Sequence, residues 1–124
     1  MSEPLFLEAS MHDKIWGGTK LRDEFGYDIP SETTGEYWAI SAHPNGVSRV
    51  KNGRFKGCFL DKLYQGEKSL FGNPDDTVFP LLTKILDAND WLSVQVHPDD
   101  AYARKHEGEL GKTECWYIIS ADEG

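Results

Sequence analysis

Three polar side chains occupy every second position of a strand-like run: Ser93, Gln95 and His97. Side chains two positions apart on a strand point the same way, about 7 Å apart, so these groups would share one surface. A carboxylate, Glu114, arrives on the next strand-like run. Imidazole, amide and carboxylate groups are ligands that a divalent metal accepts. The spacing therefore predicts a metal site built from neighbouring strands.

Two lysines accompany these residues. Lys84 lies inside an apolar run, and a buried ammonium needs a partner, so it predicts either a phosphate contact or a structural ion pair. Lys112 precedes Glu114 by two positions in Gly-Lys-Thr, but the glycine spacing of a phosphate-cradling loop is absent. Gln95 could bind the metal or support a ligand through a hydrogen bond, and Ser93 could simply be a small filler residue.

The elements that would hold these residues are mainly strands. Alternating and β-branched or aromatic runs predict strands, whereas apolar spacing of three or four predicts short helices. The predicted strands cover 4–9, 36–41, 47–50, 78–86, 92–97 and 114–120, and the predicted helices cover 20–25, 58–64, 68–71 and 99–105. The glycine pair after Trp16 predicts a tight turn or close backbone packing. We expect an α+β domain dominated by antiparallel strands, with its helices mostly in the first half.

Length and charge limit the class of protein. A chain of 124 residues has the size of one soluble domain. The net charge of −8 argues against nucleic acid and anionic membranes as partners. We find neither a secretory leader nor an apolar run of membrane-spanning length, so we expect a cytoplasmic protein. Cys58 and Cys115 give no disulfide framework and no thiolate zinc site.

Five motifs together resemble the type I mannose-6-phosphate isomerases, and most closely the shorter form of Gram-positive bacteria. They span essentially the whole chain, in family-like order: Lys14–Gly18, Gly35–Ser41, Phe79–Lys84, Ser93–Asp99 and Gly111–Glu114. The resemblance implies a cupin fold, one zinc ion per site, and interconversion of mannose 6-phosphate and fructose 6-phosphate. Sugar phosphate would therefore be the partner of the site.

The resemblance also implies individual roles. His97 and Glu114 match zinc ligands, and Gln95 matches a ligand position of many members. Lys112 matches an active-site lysine beside the metal. The positions associated with the substrate phosphate are those of Lys84 and Ser93.

Members of the family are more than twice this length, so residues 1–124 resemble their N-terminal portion. Such a portion would form an incomplete barrel, and an open sheet edge over 116–120 predicts self-association. The chain could then be inactive alone, or act as a non-catalytic metal- or sugar-binding half-cupin. An iron-dependent oxygenase is disfavoured because its facial triad uses two histidines.

The other histidines and two tryptophans have simpler interpretations. His12, His43 and His106 are predicted to be exposed or turn residues, and Trp16 and Trp38 to be core aromatics rather than platforms for a sugar. Asp99 and Asp100 are predicted to start a helix, because acidic residues are favoured in a first turn.

Overall fold

The structure, a computed structural model, describes residues 3–124. Short strands dominate it, and the prediction of a mainly antiparallel architecture with few helices is confirmed. The strands are β1 (Leu7–Glu8), β2 (Ser10–Gly18), β3 (Thr34–Ser41), β4 (Arg49–Val50) and β5 (Leu82–Leu86). The helices are α1 (Lys20–Asp23), α2 (Leu60–Gly66), a 3₁₀ turn (Lys68–Phe71) and α3 (Asp100–His106). Contacts divide the chain into two compact units, Met1–Leu92 and Ser93–Gly124.

The first unit contains two antiparallel sheets. One pairs β1 with β4, and the other has the order β2–β3–β5. In the larger sheet Trp38 lies opposite Ser10 on one side and Lys84 on the other. Glu36 lies opposite His12 and Leu86. Because side chains alternate along each strand, Glu36, Trp38 and their cross-strand partners share one face of the sheet.

Close backbone packing, rather than a turn, explains the glycine pair after Trp16. Gly17 and Gly18 end β2, whose register shifts twice after His12. A Cβ on Gly17 would collide with the backbone of Thr33 and would lie 2.7 Å from the nitrogen of Gly35. Glycine is therefore required here because β2 and β3 approach each other too closely for a side chain.

The core of the first unit lies beneath α1, α2 and β4. Leu60, Leu63 and Tyr64 of α2 are buried, as the spacing of apolar residues in that stretch predicts. The ring of Tyr64 meets Phe71 and Phe79 edge-to-face, with centroids 5.2 and 5.5 Å away. Such aromatic contacts add to the burial of apolar area and fix α2 against the 3₁₀ turn and the segment before β5.

The second unit is built around α3. The carboxylate of Asp99 accepts a hydrogen bond from the backbone nitrogen of Tyr102 at 2.8 Å, so the predicted helix start is confirmed. The predicted strands over 92–97 and 114–120 are wrong: among residues 3–124, neither stretch is hydrogen-bonded as a strand. A strand needs a neighbouring backbone as its partner, and no described residue supplies one. No helix within residues 3–124 combines the length and the apolar character needed to cross a bilayer.

Candidate functional site

In the second unit, the side chains of the predicted site contact one carboxylate oxygen, Oε2 of Glu114. Nε2 of His97 lies 3.4 Å from it, and Nζ of Lys112 lies 2.9 Å from it. The other carboxylate oxygen accepts a hydrogen bond from the indole N–H of Trp116 at 2.7 Å. The structure therefore brings together His97, Lys112 and Glu114, which the sequence predicts as site residues. It adds Trp116, which the sequence does not predict as one.

Close packing between the start of α3 and the segment 111–112 brings these side chains together. The nitrogen of Gly111 donates to the carboxylate of Asp100 at 2.8 Å, and the nitrogen of Lys112 donates to the carbonyl of Pro98 at 3.3 Å. His97 directly precedes this contact on one side and Glu114 closely follows it on the other. A Cβ on Gly111 would lie 2.5 Å from the nitrogen of Asp100, so only glycine allows the approach.

The charge at Glu114 is strongly stabilised. The hydrogen bonds from Lys112 and Trp116 lower the pKa of this carboxyl to about 2, and the positive charge of Lys112 acts in the same direction. Glu114 is therefore an anion at any ordinary pH, and its Oε2 attracts cations. Together with the imidazole nitrogen of His97 it forms a two-donor set that a divalent cation could use.

Ser93 and Gln95 are paired with each other. The amide nitrogen of Gln95 donates to the hydroxyl of Ser93 at 3.0 Å, and both residues are exposed. This assignment directs the amide oxygen, the atom that could bind a metal, away from the hydroxyl. Within the described range 3–124, no group of three His, Cys, Asp or Glu side chains is arranged to hold a metal ion. The third and further ligands therefore stay predictions.

Lys84 lies in the first unit, on β5. Its Nζ is 3.2 Å from Oε2 of Glu36 and 4.7 Å from the centre of the Trp38 ring. The same oxygen of Glu36 accepts a hydrogen bond from the indole N–H of Trp38 at 2.6 Å. Of the two predicted partners for this lysine, an ion pair and a phosphate, the structure contains the ion pair.

Glu36 is the residue that sequence reasoning missed. Burial raises the pKa of this carboxyl, but the hydrogen bond from Trp38 and the charge of Lys84 outweigh burial and hold the pKa below its usual value. The sequence signal for Glu36 is its position two residues before Trp38 in a largely buried strand. Residues two apart share one face of a strand, so this position puts a carboxylate on the same face as a core aromatic. Its partner on β5 lies 48 residues away and has no local signal.

His12 corrects another prediction. It is part of β2 and half-buried, not exposed or in a turn. Its ring stacks on Trp38 with centroids 4.0 Å apart, and its Nε2 lies 2.8 Å from the hydroxyl of Ser10. Burial lowers the pKa of His12, and the nearby Lys14 and Lys84 lower it further, although Glu36 opposes them. The buried Trp38 is a core aromatic as predicted.

His43 and His106 agree with their predictions. His43 lies in the turn that follows β3, where its carbonyl accepts a hydrogen bond from Gly46. His106 is exposed and ends α3. Neither residue contributes to the cluster at Glu114.

Comparison with known proteins identifies relatives along the whole chain. Residues 5–119 match the model of the family described as phosphomannose isomerase type I, catalytic domain. The chain is 78% identical to a mannose-6-phosphate isomerase of Streptococcus mutans over 124 residues, which are all of this chain and 39% of that protein. It is 60% identical to a probable mannose-6-phosphate isomerase of Bacillus subtilis, again over 39% of that protein.

A solved structure is similar as well. The crystal structure of the mannose 6-phosphate isomerase from Bacillus subtilis superposes with a TM-score of 0.95 at 57% identity. The match covers 98% of this chain and 39% of that one. The chain therefore spans about two fifths of the length of the relatives that it matches, and it corresponds to their N-terminal portion.

Proposed function

The chain belongs to the type I phosphomannose isomerase family, and from this premise we propose that it forms the zinc-binding N-terminal part of an enzyme that interconverts mannose 6-phosphate and fructose 6-phosphate. Residues 1–124 would then be part of a cupin barrel that the rest of the enzyme completes. The resemblance of five motifs to this family, together with the matched length of 5–119, supports the proposal.

The observation that carries the proposal is the separation between His97 and Glu114. Two ligand atoms about 2.0–2.2 Å from a tetrahedral zinc ion lie roughly 3.3–3.6 Å apart. Nε2 of His97 and Oε2 of Glu114 are 3.4 Å apart, so this pair fits two ligand positions of zinc. An imidazole nitrogen and a carboxylate oxygen are also the donor types that a catalytic zinc ion accepts. Gln95 is our proposed third ligand, through its amide oxygen.

The reaction sets clear demands on the other residues. Converting an aldose to a ketose moves a proton between C1 and C2 and requires stabilisation of the enediolate oxygens. A zinc ion supplies an electrophile for such oxygens when it is bound. The ammonium of Lys112 already lies 2.9 Å from Glu114. It would stabilise the negative charge of an enediolate oxygen, or transfer a proton to that oxygen.

Lys84, in the first unit, and Ser93, in the second, are each proposed to contact a substrate phosphate oxygen, as the family resemblance implies. An ammonium has three N–H donors, and the ion pair with Glu36 uses one of them, so Lys84 keeps donors for a phosphate oxygen. Its side chain keeps 24% of its surface exposed. The hydroxyl of Ser93 is exposed and can donate to an anion while it accepts from Gln95.

Zinc binding tests the ligand assignment directly. We expect the chain to bind zinc and His97→Ala or Glu114→Ala to weaken this binding at least about tenfold, because each removes a ligand. Isothermal titration calorimetry measures the affinity. His106→Ala is the matched control, since this histidine is exposed at the end of α3. Equal affinities of His97→Ala and His106→Ala would exclude His97 as a ligand.

Activity tests the rest of the proposal. In an extended chain, the C-terminal remainder of the Streptococcus mutans relative follows Gly124. We expect the extended chain to isomerise mannose 6-phosphate with zinc and the 124-residue chain alone to show no turnover. Zinc binding without turnover by the extended chain would favour the non-catalytic binding module instead. Tightly bound iron with oxygen consumption would favour an oxygenase.

A further inference from the structure

Two asparagine–glycine steps lie in the first unit, Asn45–Gly46 in the loop after β3 and Asn52–Gly53 in the loop after β4. An asparagine before a glycine is prone to deamidation, because glycine has no side chain that would hinder attack by its own backbone nitrogen. Neither step belongs to the proposed metal or phosphate contacts. The same chemistry is therefore available at two places of the chain, in different surroundings.

The side chain of Asn52 is held in place by three hydrogen bonds. Its amide nitrogen donates to the carboxylate of Glu3 at 3.0 Å and to the carbonyl of Pro4 at 2.8 Å. Its amide oxygen accepts a hydrogen bond from the backbone nitrogen of Phe6 at 2.8 Å. Deamidation turns the planar amide into a tetrahedral centre and expels its nitrogen, so bonds to both amide atoms oppose the reaction.

The side chain of Asn45 has no such partners. Residue 45 is exposed, and within residues 3–124 its amide group makes no hydrogen bond. The backbone nitrogen of Asn45 donates to Nδ1 of His43 at 3.1 Å, and the nitrogen of Gly46 donates to the carbonyl of His43 at 2.9 Å. Only the second bond involves an atom that reacts, and a single hydrogen bond in an exposed turn opens readily.

We propose that Asn45 is a site of spontaneous deamidation in the folded chain, and that its hydrogen bonds protect Asn52 from the same reaction. The backbone nitrogen of Gly46 bonds to Cγ of Asn45, the bond from Cγ to Nδ2 breaks, and ammonia leaves with the proton of the attacking nitrogen. Water then opens the cyclic imide at one of its two carbonyls. Opening at Cγ gives aspartate, whereas opening at the backbone carbonyl gives isoaspartate, in which the chain runs through the side chain. No atom is oxidised or reduced.

Isoaspartate at position 45 would disturb the packing of Gly46. A Cβ on Gly46 would lie 2.6 Å from Oγ of Ser10 and 2.9 Å from Nε2 of His12. It would also lie 2.9 Å from the ring of Trp38, so this backbone fits closely against the sheet. Isoaspartate adds one carbon atom to the chain directly before Gly46, together with a negative charge. The stack of His12 on Trp38 is therefore expected to respond to the modification.

Ageing of the 124-residue chain at mildly alkaline pH tests the proposal. Mass spectrometry with electron-transfer fragmentation locates each deamidated residue and separates aspartate from isoaspartate. We expect Asn45 to react at least about tenfold faster than Asn52 in the folded chain, because more hydrogen bonds hold the second amide. Equal rates in the folded chain, or a faster reaction at Asn52, would overturn the proposal.

Unfolding the chain is the first control. In concentrated guanidinium chloride the rates at Asn45 and Asn52 should agree within about twofold, because the hydrogen bonds of the folded state are lost and both residues precede glycine. A difference that persists in the unfolded chain would assign it to the neighbouring sequence and overturn the protective role of the structure.

A variant tests the protection of Asn52 directly. Glu3→Ala removes one acceptor of the Asn52 amide, so it should accelerate deamidation of Asn52 about threefold and leave the rate at Asn45 unchanged. An unchanged rate at Asn52 would show that this hydrogen bond does not protect it.

A second variant tests the structural consequence. Asn45→Gln keeps an amide at position 45, but glutamine would have to close a larger ring and reacts far more slowly. In NMR spectra, the indole N–H signal of Trp38 should shift as the unmodified sequence ages and should stay in place in Asn45→Gln. An indole signal that stays in place although isoaspartate has formed would contradict the expected effect on the stack.

Discussion

Each unit contains a lysine–glutamate pair whose carboxylate also accepts a hydrogen bond from the tryptophan two positions later, and the two pairs differ in distance and in burial. In the first unit Lys84 and Glu36 lie on paired strands, with side chains 24% and 11% exposed. In the second unit Lys112 and Glu114 are closer, 2.9 Å instead of 3.2 Å, yet their side chains are 45% and 30% exposed. The shorter distance therefore belongs to the pair that water screens more strongly.

Burial, and not distance, decides what each pair does. Exposed ion pairs contribute roughly 0–1 kcal/mol to stability, whereas removing a buried carboxylate leaves the groups that donated to it without an acceptor. The pair at Glu36 is thus part of the structure of its sheet. The pair at Glu114 contributes little to folding, so its carboxylate can exchange one cation for another.

The largest expected difference follows from removing each carboxylate. Glu36→Ala leaves the indole N–H of Trp38 and the ammonium of Lys84 without their acceptor, so we expect the free energy of unfolding to fall by about 2–3 kcal/mol. Glu114→Ala should lower it by less than about 1 kcal/mol: the pKa of about 2 alone would imply a larger loss, but water screens a pair whose side chains are 45% and 30% exposed. Urea denaturation of the 124-residue chain measures both values. Glu36→Gln, which keeps an acceptor, should recover part of the loss, and equal losses for the two alanine variants would refute the comparison.

A smaller difference is expected for the two tryptophans. Trp38→Phe keeps an aromatic ring between His12 and Lys84 but removes the donor to Glu36, so we expect a loss of about 1–2 kcal/mol in the free energy of unfolding. Trp116→Phe, at an exposed position, should change it by less than about 0.5 kcal/mol. Thermal and urea denaturation provide the values. A larger loss for Trp116→Phe would mean that the second unit is held together more tightly than its exposure indicates.

The smallest effect is the dependence on pH. Both carboxyl pKa values are lower in the folded chain, so each pair stabilises fully above the pKa of the unfolded state and loses this contribution as the pH falls. For Glu114 the loss extends from its usual pKa of 4.5 to about 2. Lys112→Met should raise the pKa of Glu114, measured by NMR of its carboxyl carbon in metal-free buffer. Lys105→Met, on α3, is the control, and equal titration curves for the two variants would contradict the role of Lys112.

Sequence patterns predict those helices and strands that depend on residues within a few positions of one another. The aromatic strand β3 and the helix start at Asp99 follow from residue types within a few positions, and both predictions are confirmed. The segments 92–97 and 114–120 have strand-like sequences too, but strand formation depends on a neighbouring backbone that the described residues do not include. A sequence pattern indicates that a segment can form a strand, whereas strand pairing also requires a neighbouring backbone.

The contacts of the candidate site residues also fall into two groups, those that the sequence predicts and those that depend on strand pairing. The contact of His97 with Glu114 could be expected from the family motifs, because both residues lie within them. The ion pair of Lys84 with Glu36 could not, since it depends on the register between β3 and β5, which contains an irregularity after Trp38. Stacking of His12 on Trp38 likewise depends on the pairing of β2 with β3. Cross-strand contacts of this kind require the fold to be known.

Gly111 makes one position decisive for the chemistry of the second unit. Since any side chain there would meet the backbone at Asp99 and Asp100, replacement would displace the segment that leads to Glu114 while leaving every polar residue of the cluster intact. In a library of all single substitutions selected for metal binding, position 111 should tolerate as few replacements as the proposed ligands, His97 and Glu114. A residue with no functional group would then be indistinguishable, by its mutational profile, from one that binds the ion.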